Sequence, residues 1–277
     1  MLYICATPIG NLKDITLRAL EVLALSDIIL CEDTRVSKNL LTHHHIKYKR
    51  LVALHEHNEN EITEKVLNWL GEGLILTQIS DAGTPGISDP GARLCSKVLA
   101  HGFKISPIPG ACAYLSLLSV AGVHTQSLFY GFLPSNRSGR HKILNTWRSV
   151  DYAVCIYEAP HRILACVRDI FECLGPKCEI IMGRELTKQF ETIKKCNIEE
   201  LLEFIEKDPN QQRGELVLIL YPTSKKADAL MDSLSATQIN TLNLLLQELP
   251  PKKAVTLTHK IVGGNKDILY NYVINLK

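Results

Sequence analysis

The run Asp81-Ala82-Gly83-Thr84-Pro85-Gly86-Ile87-Ser88-Asp89-Pro90-Gly91 places three glycines and two prolines within a few positions. Glycine enters backbone regions closed to other residues and proline fixes φ, so the run sets an irregular loop with exposed N–H and C=O groups. Two shorter runs share this character: Thr7-Pro8-Ile9-Gly10-Asn11 and Pro109-Gly110-Ala111-Cys112-Ala113. No Gly-x-Gly-x-x-Gly follows the first apolar segment, and no Gly-x-x-x-x-Gly-Lys-[Ser/Thr] occurs, which argues against the usual dinucleotide and P-loop grips. What remains is a ligand held largely by backbone and small side chains. His43-His44-His45 invites a metal reading. Successive side chains diverge, however, and no cysteine or carboxylate cluster joins them, so no metal is expected.

The elements around these runs place them. Apolar segments at 2–6, 27–31, 52–54, 74–79 and 104–108 read as strands, and helical spacing follows most of them, at 17–24, 35–42, 59–72 and 93–100. Strand and helix alternate, which is the pattern of an α/β unit with a mostly parallel sheet. All three loops fall at strand carboxyl ends, where such sheets bind ligands. Phe129-Tyr130-Gly131-Phe132-Leu133-Pro134 opens a second unit with strands at 153–157, 179–182 and 215–220 and helices near 162–174 and 198–206. A polar linker over 223–228 and a small helical tail, with helices at 254–262 and 266–272, complete the chain. The expected division is 1–119, 120–224 and 225–277.

A chain of 277 residues with 46% hydrophobic content can bury two ordinary cores. Its net charge of +2 permits a nucleic-acid partner without demanding one. The nine cysteines are an odd number and form no Cys-x-x-Cys, and the first residues carry no signal-peptide pattern, so a reducing cytoplasm is expected. The longest nearly apolar run, 113–123, falls short of the ~20 residues that a bilayer needs.

The chain resembles the ribosomal RNA small subunit methyltransferase I family of the tetrapyrrole-methylase superfamily. The resemblance rests on residues 7–16, Cys31-Glu32-Asp33-Thr34-Arg35, His55-Glu56-His57-Asn58-Glu59 and residues 80–91. It continues through Gly131-Phe132-Leu133-Pro134, Tyr157-Glu158-Ala159-Pro160-His161-Arg162, Arg184-Glu185-Leu186-Thr187-Lys188 and Arg213-Gly214-Glu215. It covers nearly the whole chain. It departs from the superfamily's Gly-Asp-Pro, which here is Ser80-Asp81-Ala82, and from a usual serine at Ala159. The resemblance implies two α/β/α domains of class III methyltransferase type, a helix-turn-helix-like tail, a homodimer and S-adenosylmethionine in the cleft. It also implies methylation of a cytidine ribose 2′-hydroxyl in small-subunit (16S) ribosomal RNA, free or within the assembled subunit. Carried over residue by residue, cofactor contacts fall on Ile9, Asp81, Thr84, Cys112, Ala113, Tyr157 and Leu186.

A ribose hydroxyl attacks a methyl carbon better when a nearby group takes its proton, an effect of ~10²–10⁴. Glu32, Asp33, His57 and Glu158 are the candidates, with Glu158 preferred; its alternative role is an ion pair with Arg162 or Arg35. Arg35, Arg162, Arg184 and Lys188 suit RNA phosphates. So does the basic, flexible segment at 136–142, with Arg137, Arg140 and Lys142, and so do Lys252, Lys253, His259, Lys260 and Lys266 in the tail. The rivals are an enzyme of the same fold acting on a tetrapyrrole or a diphthine-type protein, and a non-catalytic RNA-binding assembly factor. The basic segment and tail favour RNA. The apolar stretch at 115–123 is the expected dimer surface.

Overall fold

A computed structural model describes residues 1–55, 57–221 and 234–274; Glu56 and the expected linker over 223–228 lie outside them. The first sheet has the order β3-β2-β4-β1-β5. Its strands are β1 (Leu2–Cys5), β2 (Ile28–Cys31), β3 (Leu51–Ala53), β4 (Leu76–Gln78) and β5 (Ile105–Ile108). Every pairing is parallel. Helices cover both faces, so the strands read as continuous apolar runs. Along β2, Ile28 and Leu30 pack with Ile62, Val66, Leu94 and Val98 of α3 (Glu59–Gly71) and α4 (Ala92–Ala100). Ile29 and Cys31 point the other way, toward Ala19, Val22 and Leu23 of α1 (Leu17–Leu25) and Leu41 of α2 (Thr34–His43).

The second sheet has the order β6-β7-β10-β8-β9. It comprises β6 (Ser127–Phe132), β7 (Ala153–Glu158), β8 (Glu179–Arg184), β9 (Thr192–Asn197) and β10 (Leu216–Tyr221). The mostly parallel expectation for the first unit holds, and the second sheet is mixed. There only the β6–β7 pairing is parallel, because β10 inserts antiparallel between β7 and β8 and a hairpin adds β9. One face packs on α6 (Arg137–Thr146), α7 (Ile163–Leu174) and α8 (Ile198–Lys207). The other face, with Cys155, Ile181 and Val217, packs on Leu117 and Ala121 at α5 (Ala113–Val120) and on Ile9 from the first loop. The last helix before residue 120 therefore covers the second sheet, and a shared core joins the two units.

The tail forms α9 (Ala236–Glu248), α10 (Pro251–Val262) and α11 (Lys266–Ile274) around Leu242, Ala254, Val255 and Leu269. Ser235 and Gln238 close a capping box at the start of α9. Among the described residues, no helix is long and apolar enough to cross a membrane.

Candidate functional site: a cleft between the two sheets

The three loops leave β1, β4 and β5, which are neighbours in the first sheet, and they are knitted together. Thr7 N–H donates to Gly83 O at 2.9 Å, and Gly83 N–H donates to Thr7 O at 3.1 Å. The Thr7 hydroxyl donates to Ser80 O, and the Thr84 hydroxyl donates to Ala111 O at 3.0 Å. Gly83 has φ +86°, which favours glycine. The far end of the second loop is pinned by two buried side chains. Gln78 Nε2 donates to Pro90 O at 2.7 Å, while Glu59 Oε1 accepts from Gly91 N–H at 3.1 Å and from Leu94 N–H at 3.3 Å. Glu59 thereby supplies the negative charge that the start of α4 favours.

The second sheet closes the other side. The turn Leu186-Thr187-Lys188 presses on the first loop, where the Thr187 hydroxyl accepts from Asn11 N–H at 3.1 Å. A Cβ on Gly10 would lie 2.4 Å from Lys188 Cγ and 3.0 Å from Leu186 O, so only glycine fits this approach without displacement. Glu185 and Thr187 both take left-handed φ, at 51° and 68°. Such strain persists only where surroundings enforce it, and it clusters at binding sites. Here the Glu185 carboxylate accepts from Glu215 N–H and from Lys188 Nζ, and it occupies the space that a Cβ on Gly214 would need. From β7, the Tyr157 hydroxyl accepts from Tyr114 N–H at 3.1 Å and so ties the second sheet to the start of α5. Burial pushes the Tyr157 phenol up, so it stays protonated.

Between these walls lies a cavity of about 450 Å³, lined by Ile9, Asp81, Thr84, Cys112, Ala113, Tyr157 and Leu186 among others. All the residues expected to touch a cofactor meet here. Its rim is acidic: Glu32, Asp81, Asp89, Glu158 and Glu215 also line it. Asp81 accepts from Asp33 N–H at 3.0 Å, and burial raises its carboxyl. Asp89 is pushed up to about 6, first by burial and then by the charge of Glu32. Asp89 and Glu215 were not singled out from the sequence. The unusual Ser88-Asp89-Pro90 context was the available signal for the first, and the glycine before Glu215 for the second.

Of the other expected residues, Glu32 and Glu158 line the cleft, while Asp33, Arg35, Arg162, Arg184 and Lys188 do not. The side chain of Glu158 is fully enclosed; it accepts from Ala159 N–H at 2.8 Å and lies 3.1 Å from Arg162 Nε. That ion pair is the alternative role expected for Glu158, which also lines the cleft. Arg162 also donates to Leu133 O at 2.7 Å, which spends it on holding the loop. Asp33 caps α2 and pairs with Arg35, which holds its carboxyl down at about 2. Arg35 itself projects, with its side chain 87% exposed. Lys188 pairs with Glu185 and Glu215 at 2.9 and 3.0 Å. Arg184 is buried against Gln211 and Phe190 O.

The segment at 136–142 corrects an expectation. It is no flexible loop but the start of α6, capped by Asn136, whose side chain accepts from Gly139 N–H. Arg140 is 6% exposed and pairs with Asp169 at 2.6 Å, so it has no face left for a phosphate. Arg137 bridges Asp169 and Glu172, and Lys142 is exposed. His141, Asp169 and Glu172 put possible ligand atoms within 4.8 Å of one another, but those carboxylates already hold two guanidinium groups.

Two α/β/α units that share a cleft at the carboxyl ends of the first sheet define the tetrapyrrole-methylase class. The family description "Tetrapyrrole (Corrin/Porphyrin) Methylases" matches residues 1–202, and "RsmI C-terminal HTH domain" matches 232–277. The cobalt precorrin-4 methyltransferase shares the fold, with a TM-score of 0.59 at 14% identity over 79% of this chain and 93% of that one. So does the uroporphyrin-III C-methyl transferase from Thermus thermophilus complexed with S-adenyl homocysteine, with a TM-score of 0.55 at 16% identity over 79% and 96%. The ribosomal RNA small subunit methyltransferase I of Neisseria meningitidis serogroup A is 43% identical over 277 residues, 100% of this chain and 94% of the relative. That of Escherichia coli O157:H7 is 43% identical over 274 residues, 99% and 94%. The chain belongs to the ribosomal RNA small subunit methyltransferase I family.

Proposed function

We propose that the chain transfers a methyl group from S-adenosylmethionine to the ribose 2′-hydroxyl of a cytidine in small-subunit ribosomal RNA, within a homodimer in the cytoplasm. The carrying observation is the convergence of Ile9, Asp81, Thr84, Cys112, Ala113, Tyr157 and Leu186 on one cavity. We assign these residues to the cofactor. Its cationic sulfonium suits a rim of carboxylates, and its apolar parts suit Ile9, Ala113, Leu186 and Val217. When bound, it supplies an electrophilic methyl carbon. The chain's own residues supply alignment, which can contribute ~7–11 kcal/mol.

RNA phosphates are assigned to the exposed cations Arg35 and Lys142 and to Lys252, Lys253, Lys260 and Lys266 of the tail. Lys188 and Arg162 instead hold loops. Leu115 and Val120 on α5, 57% and 60% exposed, are the apolar side chains offered to a second copy. The test is labelled S-adenosylmethionine with purified protein and three acceptors: small ribosomal subunits, naked ribosomal RNA and a porphyrin. Label on RNA or subunits supports the reading. Label on the porphyrin alone moves the chain to the small-molecule rival, and no label anywhere favours the assembly-factor rival.

A further inference from the structure

We propose that Asp89 takes the proton from the target hydroxyl during methyl transfer. The proposal rests on the methyl-transfer reading above and names a residue for its chemical step. Asp89 lines the cleft and sits at the seam of the two sheets. Behind it, Pro90 O and Gly91 N–H are held by Gln78 and Glu59. Ahead of it, Ser88 has a left-handed φ of 66°. The Ser88 hydroxyl seats where a Cβ on Gly131 would come within 3.0 Å, at an irregularity in the β6–β7 register. Two buried anchors and one strained residue thus fix a single carboxylate at the rim. Strain of this kind is kept where position matters.

The groups facing Asp89 decide its chemistry. Ser80 lies beside it, with its hydroxyl donating to Gly83 O, and the charges of Glu32 from the end of β2, Asp81 from its own loop and Glu215 from the start of β10 all bear on it. Crowded anions make the carboxylate at their centre a good resting place for a proton. Three of the rim's other acceptors are engaged: Glu158 by Ala159 N–H and Arg162, Glu215 by Lys188, and Asp81 by Asp33 N–H.

The step balances. The hydroxyl oxygen forms its bond to the methyl carbon while the carbon–sulfur bond breaks, and that electron pair stays on sulfur. The hydroxyl proton passes to the Asp89 carboxylate. The cleft loses one positive charge on sulfur and one negative charge on Asp89, so no net charge is created in it.

The experiment compares wild type, Asp89→Asn and Asp89→Glu in single-turnover methylation of small-subunit RNA from pH 5 to 9. Thermal melts and calorimetric titration of S-adenosylmethionine accompany it. Asp89→Asn is expected to fold and to bind cofactor within about tenfold, yet to lose about 100-fold or more in rate. It should also lack the rising acid limb of the wild-type profile, and Asp89→Glu should restore part of both. Asp89→Asn within threefold of wild type, or with the limb intact, overturns the assignment. Should wild type itself leave RNA unlabelled, the functional reading fails. The Asp89 assignment falls with that reading, whereas an active Asp89→Asn beside an active wild type overturns the assignment alone.

Discussion

Gly10→Ala tests whether the cofactor cleft is built jointly by the two sheets. Gly10 lies outside the left-handed region, so alanine's backbone is unstrained there and the effect is steric. The new Cβ would sit 2.4 Å from Lys188 Cγ, 2.9 Å from Thr187 Oγ1 and 3.0 Å from Leu186 O. Ordinary contact needs ~3.5 Å or more, so the lysine stem must retreat by about 1 Å and the Leu186 carbonyl by about half of that. The lysine can swing aside. The carbonyl cannot, because Leu186 is packed in the shared core beside Ile9 and Val217. Overpacking of this kind costs about 1–3 kcal/mol. Falling on the closed cleft, it should weaken S-adenosylmethionine binding by roughly 5- to 150-fold. Calorimetric titration measures the affinity, and a melt measures the accompanying loss of stability. Gly71→Ala is the control: it ends α3 with no atom within 4 Å of the new Cβ, and it should leave affinity unchanged. Affinity of Gly10→Ala within twofold of wild type, with an unaltered melt, would refute the joint cleft.

Asp81→Ala should abolish measurable cofactor binding by calorimetry, because it removes the rim carboxylate and leaves Asp33 N–H without its acceptor. Arg140→Ala should destabilise the fold by about 1.5–3 kcal/mol in denaturant melts, since it removes the shortest of the three bonds to buried Asp169, while the salt dependence of RNA binding stays at the wild-type slope. Lys142→Ala should do the reverse, leaving stability intact and reducing that slope by about one. Burial opposes ionisation of Asp169, but hydrogen bonds from His141 and Arg140 prevail and lower its carboxyl. Its folded-state value thus lies below the unfolded one. Its contribution to stability is present above the ordinary carboxylate range and disappears as pH falls through the depressed value. Melts from pH 6 to 2 should show a smaller acid loss for Asp169→Asn than for wild type.

The first sheet was legible because a parallel sheet buried on both faces writes itself as apolar runs, and loops rich in glycine and proline mark the ends of β1, β4 and β5. β9 was not. Thr192, Lys194 and Cys196 alternate with Ile193, Lys195 and Asn197 on an edge strand, where neither face carries a clear apolar signal. The fate of the basic segment at 136–142 turned on a partner far along the chain. Asn136 is an ordinary helix cap, and Arg137, Arg140 and His141 share one helical face at spacings of three and four. Their complement, Asp169 and Glu172, shows the same spacing on α7, yet only the folded chain brings the two faces together. Asp89 was hidden differently. It lay inside a run read for its backbone, and its chemistry depends on Glu32 and Glu215, which reach it from both sheets.

The most direct measurement is a nucleoside digest of small-subunit ribosomal RNA after reaction with labelled S-adenosylmethionine and purified protein. The account predicts that label elutes as a single species, 2′-O-methylcytidine, and disappears with Asp81→Ala. Label on a nucleobase, or on no nucleoside at all, would contradict it.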